Sequence, residues 1–280
     1  MVYTLLTLEV HKIVFFVNLN RVGQLTSWTS IHCVSALLWL KNSFINAMNQ
    51  HKIEQKRFLY SLLFPGAFVV LLWLIKLTEI WLNRDFGSAG IYPLESRGLT
   101  GIILGPMVHG DMQHLMANSV PILILGTGIF YFYRPIALRV IIFIWLTSGM
   151  MLWIGGREGY HIGASGLIYG FAAFLFVSGI IRKNIRLMSI SLLVVFLYGG
   201  MIWGVLPVDP NVSWEGHLFG GITGIVVAFF YKDQGPQRKK YEWEIEEEME
   251  ELGLDYYDWL IYDHFRNKKR KKEDDEKENQ

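Results

Sequence analysis

The chain has 280 residues, of which 52% are hydrophobic and 15% aromatic, and its mean hydropathy is +0.29. Because the apolar residues fall in long blocks and not in amphipathic periods, the composition indicates a protein that crosses a membrane several times. The formal net charge is +1, and the single cysteine, Cys33, excludes an intrachain disulfide and a cysteine metal cluster. The sequence contains no Walker, Rossmann or HExxH motif, and we expect no nucleic-acid partner.

The first 47 residues contain two apolar patches that charged residues interrupt, and neither patch is long enough to cross a bilayer. We therefore expect no transmembrane helix in residues 1–47. Met48 is followed by a basic stretch, residues 48–57, and then by a long apolar segment, as at the start of many membrane proteins. Either Met1 or Met48 can be the true start; with Met48, residues 1–47 are a mis-assigned extension.

Six later segments are apolar and long enough to span a membrane, and helices are the only open structure that satisfies the backbone in lipid. The predicted spans are Phe58–Leu82, His114–Tyr133, Leu138–Ile154, Gly163–Ile181, Leu187–Leu206 and Trp214–Tyr231. Basic residues lie beside one set of span ends, and the positive-inside rule places that side in the cytoplasm. We predict an all-α polytopic membrane protein with a six-helix core at 58–231, both termini cytoplasmic, in the plasma (bacterial inner) membrane.

The tail, residues 232–280, has a different composition. An acidic block at 242–251 is followed by an aromatic stretch at 256–265 and a basic cluster at 268–272. This pattern predicts one or two cytosolic amphipathic helices. A solvated charged tail and a segment that binds a membrane surface or a partner are both compatible with it.

Ser165 is the candidate nucleophile. It lies in the run His-Ile-Gly-Ala-Ser-Gly-Leu-Ile-Tyr-Gly at 161–170, where a loop becomes an apolar segment. A serine in the first turn of a helix lies beside unpaired backbone N–H groups and the positive end of the helix dipole, which stabilise an oxyanion. The alternative interpretation is a close helix contact, since small residues are common where membrane helices pack.

Three polar residues are predicted to share one depth in the membrane. Ser165 lies 17 residues before the basic residue that ends its span, His217 lies 15 residues before its own, and Asn118 lies 16. At about 1.5 Å per residue, all three lie roughly 22–25 Å from the cytoplasmic boundary. His114 is one helical turn above Asn118 on the same face. Polar residues at such a depth are candidates for function.

These residues have the chemistry of a hydrolase. A neutral His217 can take the hydroxyl proton of Ser165 and return it to a leaving amine, while the Asn118 amide, with His114, donates to an oxyanion. His217 as a packing residue is the alternative. A zinc site formed by His109, His114, His161 and His217 is another, but it leaves the serine unexplained.

Three motifs in this order resemble those of the rhomboid intramembrane serine proteases, over residues 58–231. They are His109 with His114-x-x-x-Asn118, then Gly163-Ala-Ser-Gly166, then Gly216-His217-x-x-Gly220-x-x-x-Gly224. The resemblance implies a dyad without an aspartate, in which Ser165 is the nucleophile and His217 the base. It also implies an oxyanion hole built from His114, Asn118 and the backbone N–H groups of Ala164 and Ser165, with Tyr169 stacked on His217.

The resemblance further implies a first loop, about 91–106, that lies partly in the membrane, and a fifth-span cap, 203–213, that admits substrate, with Trp203 at the gate. Some family members carry a Trp-Arg pair in the first loop, whereas this chain reads Arg97-Gly-Leu. No cofactor or metal is implied.

The expected function is cleavage of the transmembrane segments of other membrane proteins near the outer face, so the expected partners are such substrates and the lipid bilayer. The alternatives are a catalytically silent rhomboid-like protein that binds membrane clients and, less favoured because no inverted repeat is evident, a transporter. The sequence leaves the oligomeric state open.

Overall fold

The computed structural model describes residues 28–197, 203–209, 212–235 and 242–266, without the side chains of 28–44, 46, 47, 197 and 242. Within these ranges the secondary structure is helical, apart from one isolated β-bridge. The chain divides into two units, residues 1–60 and 61–280. The main helices are α1 (Trp28–Leu82), α2 (Met112–Phe132), α3 (Ala137–Gly155), α4 (Ser165–Ile181), α5 (Ile185–Leu197), α6 (Trp214–Phe230), α7 (Glu242–Leu252) and α8 (256–266).

Helix α1 is longer than the sequence predicts. The expected span began at Phe58, whereas the helix begins at Trp28 and is 55 residues long. Polar residues at 48–57 lower the hydropathy, but they do not stop a helix, and there is no glycine or proline between Trp28 and Phe64. The part that is long and apolar enough to cross a membrane is Met48–Leu82. We expected no transmembrane helix in residues 1–47. The structure describes this stretch only from residue 28 onward, so the expectation stays a prediction.

Of the predicted span Leu187–Leu206, α5 is described to Leu197, and residues 203–205 form a 3-10 turn. The sequence at 198–202 lies outside the described residues. Among the described residues, three helices have the length and apolar character of membrane spans, namely Met48–Leu82, Met112–Phe132 and Ala137–Gly155, and three shorter apolar helices accompany them.

Helix α4 lies in the middle of the helical bundle, in contact with α2, α3, α5 and α6. Its side chains Phe174 and Leu175 are fully buried. The packing of α4 on α6 is unusually close, because a Cβ on Gly220 would lie 2.0 Å from the backbone oxygen of Gly166. One turn further on, a Cβ on Gly224 would lie 2.2 Å from the oxygen of Gly170. Only glycine permits such backbone contact, so the sequence fixes how near α6 comes to the first turns of α4.

The first loop, residues 83–111, is anchored to the bundle by its backbone. Ile91 and His161 form the isolated antiparallel bridge, with N···O distances of 2.9 and 2.8 Å. The Gly163 amide donates to the Gly105 oxygen at 2.9 Å, and the Trp145 indole donates to the Ile102 oxygen at 2.9 Å. Because two of these contacts reach the residues just before α4, the loop holds the segment that leads into Ser165.

The end of α4 opposite to Ser165 is fixed by Arg182. This residue is buried, its guanidinium donates to the backbone oxygen of Tyr231 at 2.6 Å, and it lies 5.3 Å from the ring centroid of Tyr133. Tyr133 and Tyr231 directly follow α2 and α6. Arg182 therefore joins the ends of three helices at the side that the charge pattern assigns to the cytoplasm.

The described part of the tail contains two helices, α7 and α8, as the sequence pattern allowed. Trp259 of α8 is buried and donates its indole N–H to Glu248 of α7 at 3.0 Å. Arg266 pairs with Glu248 and Asp263. The two helices are thus joined by polar contacts. The basic cluster at 268–272 lies outside the described residues.

Candidate active site

Ser165 is the first residue of α4, directly after a sharp change of backbone direction. Gly163 has φ +102°, a conformation that L side chains rarely adopt, and Ala164 is the N-cap. The first N–H groups of a helix have no partner inside the helix and carry the positive end of its dipole. The hydroxyl of Ser165 therefore lies in a region that stabilises negative charge.

His217 is within hydrogen-bond distance of Ser165. The Nε2 atom of His217, which lies in the first turn of α6, is 2.7 Å from the Oγ atom of Ser165. The two residues are 52 positions apart in sequence, and the glycine contacts between α4 and α6 bring them together. A serine and a histidine at this distance form a nucleophile and base pair in geometry.

Tyr169 holds the face of the His217 ring. The two rings are nearly parallel, with an interplanar angle of 11° and centroids 4.3 Å apart. Tyr169 lies one turn after Ser165 on α4, so one helix provides both the hydroxyl and the surface on which the imidazole stacks.

Two side chains of α2 lie beside the backbone just before Ser165. A Cβ on Gly163 would lie 2.7 Å from His114 Nε2 and 3.7 Å from Asn118 Nδ2, so both groups point towards the Gly163 backbone. The Nδ2 atom of Asn118 is buried and has no hydrogen-bond partner among the described residues. An amide donor without an acceptor, beside the N terminus of α4, is what an oxyanion site requires.

Trp203 is 65% exposed and lies in the short turn before α6.

The N terminus of α2 is fixed by Asp111, whose carboxylate accepts from the His114 amide at 2.7 Å. This hydrogen bond lowers the pKa of Asp111, and the carboxylate remains charged at the positive end of the helix. His109, just before the helix, packs edge to face on His114 with centroids 5.0 Å apart. Burial lowers the pKa of His109 to about 4, so the ring is neutral at pH 7.

His161 is a structural residue of the loop before Ser165. Its Nδ1 atom is 2.6 Å from the Ser213 hydroxyl and its Nε2 atom is 2.9 Å from the Arg157 oxygen. Arg157 also pairs with Glu215 at 3.3 Å and donates to the Val212 oxygen at 2.7 Å. These contacts connect the loop between α3 and α4 to the N terminus of α6. In the part of the chain that the structure describes, no three His, Cys, Asp or Glu side chains form a metal-binding group.

A small cavity lies next to the Ser165 hydroxyl. Its volume is about 40 Å³, and its lining includes Ser165, His161, Ser213, Trp145 and Gly149. A volume of that size accommodates more than one water molecule, and the polar groups in its wall are the partners that such waters need. Water therefore has a place beside Ser165.

Sequence reasoning did not identify Gly204 or Ser213. The carbonyl oxygen of Gly204 is 2.8 Å from the Nδ1 atom of His217, on the opposite side of the ring from Ser165. A backbone acceptor has no side-chain signature, so nothing in the sequence Trp-Gly-Val at 203–205 marks it. The only available signal was the position of the glycine in the predicted cap.

The fold and this site together define a helical membrane protein with an apposed serine and histidine. Comparison with known proteins supports that class. Residues 96–234 match the family model of the rhomboid domain. A protein of Acanthamoeba polyphaga mimivirus, whose provisional name is rhomboid protein, is 31% identical over 137 residues, which cover 44% of this chain and 70% of that protein.

Mycobacterial proteins are similar over a longer stretch. Uncharacterized proteins of Mycobacterium tuberculosis and Mycobacterium bovis are each 39% identical over 187 residues, which cover 62% of this chain and 75% of the relative. An uncharacterized protein of Mycobacterium leprae is 37% identical over 183 residues. The chain belongs to the rhomboid family, as its three motifs predicted, and it is a multi-pass membrane protein.

Proposed function

We propose that this protein is an intramembrane serine endopeptidase that cleaves transmembrane segments of other proteins near the outer face of the membrane. The observation that carries the proposal is the 2.7 Å contact between His217 Nε2 and Ser165 Oγ. Family membership alone is weaker support, since fold does not determine activity.

The reaction follows from the groups around this contact. The Ser165 oxygen attacks the substrate carbonyl while His217 takes its proton, and the negative charge on the carbonyl oxygen is stabilised by Asn118, His114 and the backbone N–H groups of Ala164 and Ser165. His217 then donates the proton to the leaving amine, which leaves an acyl-enzyme on Ser165. Water from the adjacent cavity loses a proton to His217 and attacks the ester. His217 then returns this proton to the Ser165 oxygen as the second product leaves, which restores the serine.

The depth of the site follows from helix length. Helix α4 has 17 residues and is therefore about 25 Å long, which is shorter than the roughly 30 Å hydrocarbon layer. With Arg182 at the cytoplasmic boundary, Ser165 lies inside the layer and below its outer surface. In this proposal six helices cross the plasma (bacterial inner) membrane, α1 to α6, and both termini are cytoplasmic, because the basic residues cluster at that side.

Substrates are transmembrane helices that unwind near the outer boundary. A peptide bond in a regular helix is not accessible to Ser165, so small or helix-breaking residues are expected at the cleavage site. Substrate enters beside the fifth helix and the turn that bears Trp203. The lipid bilayer is the other partner, and no cofactor takes part.

The test is activity-based labelling of the protein in lipid nanodiscs. A fluorescent serine-directed phosphonate is expected to label Ser165, with the site mapped by mass spectrometry. Labelling should be absent in Ser165→Ala and fall at least about a hundredfold in His217→Ala, which removes the general base. If the folded wild-type protein is not labelled, the proposal fails and client binding without catalysis becomes the better interpretation.

A further inference from the structure

The imidazole of His217 has a hydrogen-bond partner on each nitrogen. Nε2 faces the Ser165 hydroxyl at 2.7 Å, and Nδ1 faces the Gly204 carbonyl oxygen at 2.8 Å. A carbonyl oxygen can only accept, so the proton of the neutral ring is on Nδ1. Nε2 then carries the lone pair that a general base needs.

We infer that the backbone carbonyl of Gly204 is the positioning group that sets the tautomer and orientation of His217 for catalysis. The inference rests on the proposed function and adds a third member to the serine and histidine pair. In serine proteases with a full triad, a carboxylate holds the corresponding ring nitrogen. Here a neutral peptide group takes that place.

No carboxylate is placed to do the same work among the described residues. Glu215 is the nearest acid in sequence, two residues before His217, but it is buried in an ion pair with Arg157 at 3.3 Å. Its carboxylate therefore binds Arg157, in the loop between α3 and α4. The His217 ring also stacks on the ring of Tyr169, which fixes the plane but cannot select a tautomer.

Position 204 has no room for a side chain. A Cβ there would lie 2.2 Å from the Tyr169 hydroxyl oxygen and 3.0 Å from His217 Nδ1. The backbone must approach this closely for the carbonyl to reach the ring, and only glycine permits it. The requirement for glycine at 204 is therefore explained by His217 and Tyr169 together.

The inference makes the turn at Trp203–Val205 a part of the catalytic geometry as well as of the proposed entrance. Trp203, the residue proposed at the gate, is the neighbour of Gly204. A movement of this turn that admits substrate also moves the acceptor of the His217 proton.

The sharpest test changes one atom of the backbone. Replacing Val205 with its α-hydroxy analogue turns the amide between Gly204 and Val205 into an ester, whose carbonyl is a much weaker acceptor, and leaves every side chain in place. We expect the second-order rate of phosphonate labelling at Ser165 to fall about tenfold or more, the effect of one good hydrogen bond. The same ester at Gly159, in the loop between α3 and α4, is the control, with a change of less than about threefold expected, since it alters a carbonyl that does not face His217 and leaves the turn at Trp203–Val205 intact.

A spectroscopic measurement separates orientation from activity. In protein labelled with ¹⁵N-histidine, with His217→Ala used for assignment, the wild-type His217 signal should show a protonated Nδ1, and the Val205 ester should show increased protonation of Nε2. Unchanged labelling and unchanged Nδ1 protonation in the ester variant would overturn the inference. A wild-type protein that is not labelled contradicts the proposed function instead, and the nitrogen signals then decide the role of Gly204 alone.

The variant Gly204→Ala gives a simpler version of the same test. It should lose labelling at least as strongly as the ester, because its Cβ displaces the turn from Tyr169 and His217. Gly221→Ala is the matched control, since a Cβ at Gly221 has nothing within 4 Å. A Gly204→Ala protein that keeps its helicity and labels as fast as Gly221→Ala also counts against the inference.

Discussion

The proposed role of Asn118 depends on its side-chain amide, whose Nδ2 donor has no hydrogen-bond partner among the described residues. If its Nδ2 group stabilises the transition state, Asn118→Ala should lower kcat by about 10²–10³-fold and change KM by less than about threefold. The measurement is cleavage of a reconstituted single-span substrate at several concentrations. Val120→Ala, two residues along the same helix and 46% exposed, is the control. An increase in KM at constant kcat would instead indicate a binding role.

At the residue scale, the sequence predicted the side chains of the site better than its backbone groups. Ser165, His217 and Asn118 carry distinctive chemistry, and helix rise predicts one depth for them. The Gly204 carbonyl has no such chemistry. The contacts of His161 with Ser213 and Arg157 were also not predicted, because they depend on how two loops meet and not on spacing along one helix.

The contact between α4 and α6 is the element that sets the separation of Ser165 and His217. Gly220→Ala should reduce phosphonate labelling of Ser165 by at least about tenfold and destabilise the protein by about 1–3 kcal/mol, since its Cβ would overlap the Gly166 backbone oxygen at 2.0 Å. Thermal unfolding in detergent and the labelling rate are the measurements. Gly221→Ala, the next residue on α6, should be close to wild type in both. Equal behaviour of the two variants would show that the helices can separate without loss of the site.

The extent of each element was harder to predict than its existence. All six predicted apolar segments contain helix, but hydropathy reports burial in lipid and not hydrogen bonding. The predicted span from Phe58 therefore covers only the apolar part of α1, whose helix also includes the polar stretch at 48–57. Conversely, the predicted fifth span runs to Leu206, whereas residues 203–205 form a 3-10 turn.

At the scale of the whole molecule, one buried ion pair joins α1 to the loop that precedes α2. Lys76 and Glu79 are 3.0 Å apart, and the Lys76 ammonium also donates to the backbone oxygens of His109 and Gly110. Lys76→Met leaves the Glu79 charge and both carbonyls without this partner, so we expect a loss of about 3–5 kcal/mol in the free energy of unfolding.

Thermal or denaturant unfolding in micelles measures this loss. Leu77→Met, on the exposed side of the same helix, should have little effect. Adding Glu79→Gln to Lys76→Met should recover part of the loss, because it removes the uncompensated buried charge. An unfolding midpoint of Lys76→Met equal to that of Leu77→Met would contradict a structural role for the pair.

The class of fold was predictable because membrane composition leaves few alternatives to a helical bundle. It was less predictable which helices and loops contact one another. The resemblance implied that α4 and α6 meet, because it pairs Ser165 with His217. Nothing in the sequence pointed to Lys76 as the link to the His109 loop or to the bridge between Ile91 and His161. Such links depend on distant loops reaching the same place in space.

The backbone contact of α4 with α6 also affects how the protein responds to its lipid. Bilayers differ in thickness, and helices adapt by tilting. Two helices that touch backbone to backbone at Gly166 and Gly220, and again at Gly170 and Gly224, must tilt as one rigid pair. A thinner or thicker membrane will therefore shift which residue of a neighbouring helix lies opposite Ser165, while the distance from that serine to His217 stays the same.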